Sequence, residues 1–290
     1  MHLPVENPMD DLVEYLLFRL KEKNMPISKY KMQKFIFKIK MDLGKNHELY
    51  DDLPYYWYFH GPFSEILNDS WNYILPKCSF NINSAFLNDK SYNEFDVENN
   101  IVSSYSEIEV FTNQILSSES FYDLDKVIYK EYAPYSCMYS FKYEIFNKAN
   151  TIRSSNYFDV DNYIDIFYDC ESQLPCESYF NEFNDLFSKL STNLDIINDE
   201  NNFNNFWNFL RDPIIELWKT FARGLRVNFK DDFYNYKVNL WDMKYKNSIA
   251  QLEILINETD KLINFDESNK GYSPSQKKLL NATISAYLRG

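Results

Sequence analysis

Leu53-Pro54-Tyr55-Tyr56-Trp57-Tyr58-Phe59-His60-Gly61-Pro62-Phe63-Ser64-Glu65 is the stretch around which the N-terminal part of this chain is built. The five consecutive aromatics, Tyr55 to Phe59, suit a pleated surface better than a helix, and Gly61-Pro62 cuts the run off. The pattern predicts one short strand ending at a Gly-Pro corner. Ser64 then offers an N-cap to a helix with Leu67, Trp71, Ile74 and Leu75 on one apolar face. Upstream, Ser28 can cap a helix in which Met32, Phe35, Ile36, Ile39 and Leu43 recur every three to four residues, and Gly44 suits its C-terminal end. Helix, strand, corner and helix thus fill residues 27–75.

The chain ahead of this unit begins with another helix signal. Asn7 can cap, Pro8 occupies the first helical position and Asp10 the third, and Val13, Leu16, Leu17 and Leu20 mark a buried face before the helix ends near Lys23. Pro26 separates it from the Ser28 helix. A helix pair followed by a strand predicts a winged-helix-like head.

Lys31-Met32-Gln33-Lys34-Phe35, followed by Trp57 and His60-Gly61-Pro62-Phe63-Ser64, resembles the SocA-like antitoxin domain, also called Panacea, and the related YwgA-like proteins. The first motif is similar to the family's helical Leu-Gln-Lys-Leu signature, with Met32 and Phe35 in place of the usual leucines. Tyr132-Ala133-Pro134-Tyr135 is a weaker downstream similarity. The resemblance spans residues 12–143 and leaves the second half of the chain unassigned. It implies a module that neutralises or regulates a protein partner.

The composition is consistent with a helical, aromatic-rich fold: 24 Tyr, 24 Phe and 5 Trp stand against 5 Gly in 290 residues, too few glycines for many glycine-dependent hairpins. The length allows one large or two ordinary domains. No signal segment or apolar run of bilayer length is present, so a cytoplasmic location is expected. Cys78, Cys137, Cys170 and Cys176 form no Cys-x-x-Cys pair and read as free thiols in a reducing compartment.

Residues 79–104 are rich in Asn, Ser and Asp and read as a long loop. Ser106-x-x-Glu109 is a capping-box pattern for a helix carrying Ile108, Ile115 and Leu116, and helices over 124–132 and 136–149 are predicted to break at Pro134. These complete a first domain, 1–150. The second, 151–290, reads as an acidic helical domain after a loop at 151–158. Tyr179, Phe183, Leu186, Phe187 and Leu190 form one stripe. Asp212-Pro213 predicts a helix start ahead of Ile214, Leu217, Trp218, Phe221 and Leu225. Ile249, Leu252, Leu255, Ile256, Leu262 and Ile263 mark another helix, and Ser273-Pro274 would cap the last.

Three features could carry chemistry. The corner His60, Gly61, Phe63 and Ser64 offers free helix-start N–H groups that could bind an anion or a partner carboxylate, against the stronger reading that a Gly-Pro turn and a Ser cap are what a strand-to-helix corner needs anyway. Lys29, Lys31, Lys34, Lys38, Lys40 and Lys45 on the Ser28 helix are opposed only by Asp42. Of these, Lys31, Lys34, Lys38 and Lys45 share a face, read either as a solvated surface or as a contact for phosphate or an acidic protein. The third is acidity over 151–200, where eleven Asp and Glu face only Arg153 and Lys189, a local balance of −9. Asp159, Asp161, Asp165 and Asp169 are spaced like a calcium loop, but Ile164 stands where such a loop needs Gly and no Glu closes it at Cys170. No metal or cofactor is expected.

Catalytic signatures are lacking. No Gly-rich phosphate loop, Gly-x-Ser-x-Gly or His-Glu-x-x-His occurs, and His2, His47 and His60 all lie near the N-terminus. Two readings of different class follow. The preferred one is a non-enzymatic interaction module whose binding residues are His60, Gly61, Phe63, Ser64, Lys31, Lys34 and Lys38, and whose partner is a toxin or another basic protein. The alternative is a DNA-binding regulator using the Lys-rich helix 28–43.

Overall fold

The structure, a computed structural model, describes residues 7–81, 84–87, 106–118, 121–151, 159–197 and 200–268. It is mainly helical and divides into two compact units. The first comprises 1–139 and 222–245, and the second 140–221 and 246–290. The segment 222–245, which the sequence reading left with the C-terminal half, therefore clusters with the N-terminal one.

In the first unit, α1 (Pro8–Glu22) is capped by Asn7, whose side chain accepts from the Met9 N–H. α2 (Lys29–Leu43) is capped by Ser28 through the Lys31 N–H. The aromatic run forms β1 (Tyr56–Tyr58), and here the structure departs from the expected single strand. Gly61 does not end the sheet. The chain turns at Phe59-His60, and Gly61, at φ +86°, opens a second strand, β2 (Gly61–Phe63). The register pairs Tyr56 with Phe63, Trp57 with Pro62 and Tyr58 with Gly61. Pro62 is tolerated because β2 is an edge. Ser64 then caps α3 (Glu65–Ile74) through the Leu67 N–H.

A second hairpin, β3 (Cys78–Asn81) with β4 (Ser84–Leu87), replaces the start of the expected loop, so the prediction for 79–104 is corrected there; most of the remainder lies outside the described residues. The hairpin is tied to the connection between α1 and α2 by mutual Ile27–Ala85 backbone hydrogen bonds. α4 (Ser106–Ser117) and α5 (Leu124–Tyr132) pack against α2. The 222–245 segment supplies a third neighbour to the first hairpin. Trp57 N donates to Phe229 O at 2.8 Å, and Asp231 N donates to Tyr55 O at 2.8 Å. Asp231 Oδ2 accepts from the Tyr55 N–H at 2.6 Å and from the Lys40 ammonium at 2.5 Å.

The second unit is built on rings. α6 runs through Met138–Ser140, a π-helical turn Phe141–Phe146 and Asn147–Thr151. α7 (Val160–Glu171), α8 (Asn181–Ile196), and the parts of α9 (Glu200–Asn228) and α10 (Val238–Ser268) that belong here complete it. Phe141 contacts Phe183, Phe187, Trp218 and Phe221, all buried. Asp159 caps α7 by accepting from the Asn162 N–H, and Asp161, Asp165 and Asp169 are exposed on that helix, a geometry unlike a calcium loop.

Pro213 does not begin a helix as the sequence predicted. It lies inside α9. Its missing N–H removes the usual intrahelical donor to the Phe209 carbonyl, and the buried Thr259 hydroxyl, on α10, shares its one proton between that carbonyl at 3.3 Å and its own helix's Leu255 carbonyl at 3.0 Å. The Ser273 cap lies outside the described residues.

Trp57 is buried, and one of the helices that flank it in sequence, α2, is among its neighbours. Its ring contacts Phe37 of α2 and Tyr129 of α5. Trp57→Ala should cost about 3–5 kcal/mol in urea unfolding, against about 1 kcal/mol for Ser64→Ala through loss of its cap.

Candidate functional site

The two motifs singled out in the sequence meet in space. Gln33 and Lys34 are successive residues on α2, and both are buried. The Gln33 carboxamide donates to Ser64 O and accepts from Ser64 N, each at 2.8 Å. Lys34 Nζ donates to the carbonyls of His60 and of Pro62, the latter at 3.0 Å. Successive outward-facing groups of the β2 edge are therefore taken by side chains of α2, as a neighbouring strand would take them. Asp125 Oδ1 lies 4.0 Å from Lys34 Nζ and accepts from the Tyr30 hydroxyl at 2.6 Å. A cation this deep in the fold needs both the carbonyl dipoles and the carboxylate.

Gly61 is required by that contact. A Cβ there would stand 3.1 Å from both Lys34 Nζ and Tyr129 Cε2, and its φ is one that L-residues rarely adopt.

The hairpin, α2 and α3 enclose a cleft of about 410 Å³ lined by Lys29, Tyr30, Gln33, Lys34, Tyr56, Tyr58, His60, Gly61, Pro62, Phe63 and Asn68. Its size falls within the range of ligand-binding clefts. Most of its polar groups are already engaged. The Tyr56 hydroxyl donates to Glu65 Oε1 at 3.2 Å, and Glu65 is itself paired with Lys237. The His60 ring is exposed and stands edge-on to Tyr30 and Phe59. The Arg226 guanidinium lies 4.9 Å from the Tyr58 ring centre.

The sequence-predicted residues separate into two groups. Lys34, His60, Gly61 and Phe63 line the cleft, whereas Ser64, Lys31 and Lys38 do not. Ser64 is fully buried as a cap. Lys31 lies 3.8 Å over the Phe121 ring, and burial pushes its pKa down against the pull of Asp123. Lys38 donates to Asp42 at 2.6 Å and to the Tyr132 hydroxyl at 2.7 Å. Burial opposes its charge, but these bonds outweigh it and hold its pKa above the usual lysine value. The lysines of this stretch thus do not form one solvated face: Lys34 and Lys40 are buried, while Lys29, and Lys45 just beyond α2, are exposed. The residues outside the sequence-predicted binding set are Lys29, Tyr30, Gln33, Tyr56, Tyr58, Pro62 and Asn68 of the lining, and Asp125 beside Lys34. Tyr30 and Lys34 are one helical turn apart, which was a usable signal, but nothing local linked Asp125 to them.

No family model, curated protein or solved structure matches this chain. Among the described residues, no group of three or more His, Cys, Asp or Glu is placed to hold a metal, and no helix is long and apolar enough to cross a membrane.

Two consequences are measurable. Gly61→Ala should destabilise by about 1–3 kcal/mol in chemical denaturation, because strain and the Lys34 and Tyr129 contacts act together. Burial, followed by neighbouring charge or hydroxyl groups, raises the pKa values of Tyr55 and Tyr56 above the tyrosine value of 10.0. Their neutral forms therefore stabilise the fold below the unfolded pKa, and that contribution disappears as pH rises through the folded values. Urea midpoints should fall above about pH 10, less steeply in Tyr56→Phe.

Proposed function

We propose that this chain is a non-enzymatic interaction module, resembling the SocA-like antitoxins, that binds and regulates or neutralises a protein partner through the cleft at the first hairpin. The observation that carries this reading is the cleft itself: aromatic and prolyl walls converge there on a rigid corner, with the His60 ring exposed at its mouth. Gln33, Lys34, Gly61 and Ser64 act in this reading as the frame that holds the walls. His60 and Phe63 are the members of the sequence-predicted set that touch the partner.

The test is capture of the partner from the native host with wild-type and His60→Ala protein. The substitution removes a ring but neither the turn nor the cap, so capture should fall several-fold at a nearly unchanged melting temperature. Equal capture by a folded His60→Ala protein would remove His60 from the contact.

One observation favours a DNA-binding regulator as the second reading. α1, α2 and α3 precede the β3–β4 hairpin, three helices and a hairpin as in a winged helix, although the β1–β2 hairpin stands between α2 and α3. Against it, most α2 lysines are engaged within the protein and the net charge is −13. Affinity for arbitrary duplex should be weak at physiological salt. Nanomolar mobility shifts abolished by Lys29→Glu and Lys45→Glu, both surface changes, would reverse the ranking.

A further inference from the structure

The lining of the cleft has a charge character opposite to that of the chain. Lys29 and Lys34 contribute to it and no Asp or Glu does, although the net charge of the protein is −13. Lys34 is partly compensated by Asp125 behind the wall, whereas Lys29 is exposed at the mouth. A cationic occupant is disfavoured by these charges, and the Tyr58 ring already has the Arg226 guanidinium near it. A second strand is disfavoured as well, because Gln33 and Lys34 occupy the β2 edge that strand addition would use. What remains for recognition is ring against ring, with one accessible positive charge beside it.

We propose that the cleft takes an aromatic side chain carried on an acidic segment of a partner protein. The ring lies against Tyr30, Tyr58 and Phe63, and a neighbouring carboxylate reaches Lys29. The proposal rests on the docking reading above and adds the chemistry of the segment that docks.

The probe is the capped peptide Gly-Glu-Phe-Glu-Gly, titrated by ligand-observed NMR against the full chain. Its counterparts are the same peptide with Ala for Phe, the same peptide with both Glu replaced by Lys, and phenylacetate. The parent peptide should bind with submillimolar affinity, and the Ala and Lys versions at least about tenfold more weakly. Raising the salt should narrow the gap between the Glu and Lys versions. Lys29→Glu, a surface change expected to leave the melting temperature unaltered, should invert the preference between them, and Tyr58→Ala should abolish binding of all the peptides.

No preference for Glu over Lys, or no binding of the parent peptide at about 5 mM, a level far above the affinity proposed, would overturn the inference. Phenylacetate binding as tightly as the peptide would overturn it in favour of a small aromatic acid. Partner capture that depends on His60, together with peptides that bind without charge preference, would leave the docking reading standing and remove this one alone.

Discussion

Four hydrogen bonds from two adjacent side chains hold the first unit in register. Gln33 and Lys34 leave α2 together and bind the carbonyls of His60, Pro62 and Ser64 and the N–H of Ser64. A two-stranded hairpin is only marginally stable in water, and an uncovered edge invites pairing with other chains. Here one edge of the hairpin meets Phe229 and Asp231 and the other meets the α2 side chains, so both are satisfied by the unit itself. The glutamine can do this because its amide both donates and accepts, as a peptide group does. The lysine can do it because its ammonium has several donors and Asp125 stands behind it.

This arrangement changes what the positive charge of α2 means. A charge buried for architecture cannot also be solvated at a surface, and the cost of its burial is met by the dipoles and carboxylate around it. Lys34 and Lys40 sit under backbone carbonyls and beside Asp125 and Asp231, and Lys38 is held by Asp42 and Tyr132. The charge pattern that suggests a phosphate-binding helix is in this fold largely an internal scaffold for the hairpin and for α5.

Local rules made much of this legible. The caps at Asn7, Ser28 and Ser64 form as their sequence positions imply, and the apolar spacing of α1, α2, α4 and α8 matches their buried faces, as does that of α3 except for Leu75, which lies beyond the helix and is exposed. What stayed hidden depended on distant partners. Gly61-Pro62 looks like a strand terminator until Gln33 and Lys34 supply the partners that let it be a strand. Asp212-Pro213 looks like a helix start until Thr259, far along the chain, brings a shared hydroxyl proton to the carbonyl that Pro213 frees. At the cleft, the sequence pointed to the corner and to Lys34, but the aromatic walls were contributed by residues already assigned to a strand face or a helix surface. A solvated lysine and a buried, paired one have the same local sequence, and only the tertiary partner separates them.

The same constraint decides which residues are open to evolve for recognition. Gln33, Lys34, Gly61 and Ser64 are each bonded to, or pressed against, backbone, so a change at any of them moves the corner before it alters a ligand. Lys29, Tyr30, Tyr58, His60 and Phe63 line the same cleft with atoms that face outward to varying degrees, and their substitution leaves the four scaffold bonds in place. A rigid edge closed by side chains thus supports a rim whose chemistry is free to change. In such a fold, the rings and the charge at the mouth are the part that substitution can vary without moving the corner, and the motif that is easiest to read in the sequence is the part that holds them still.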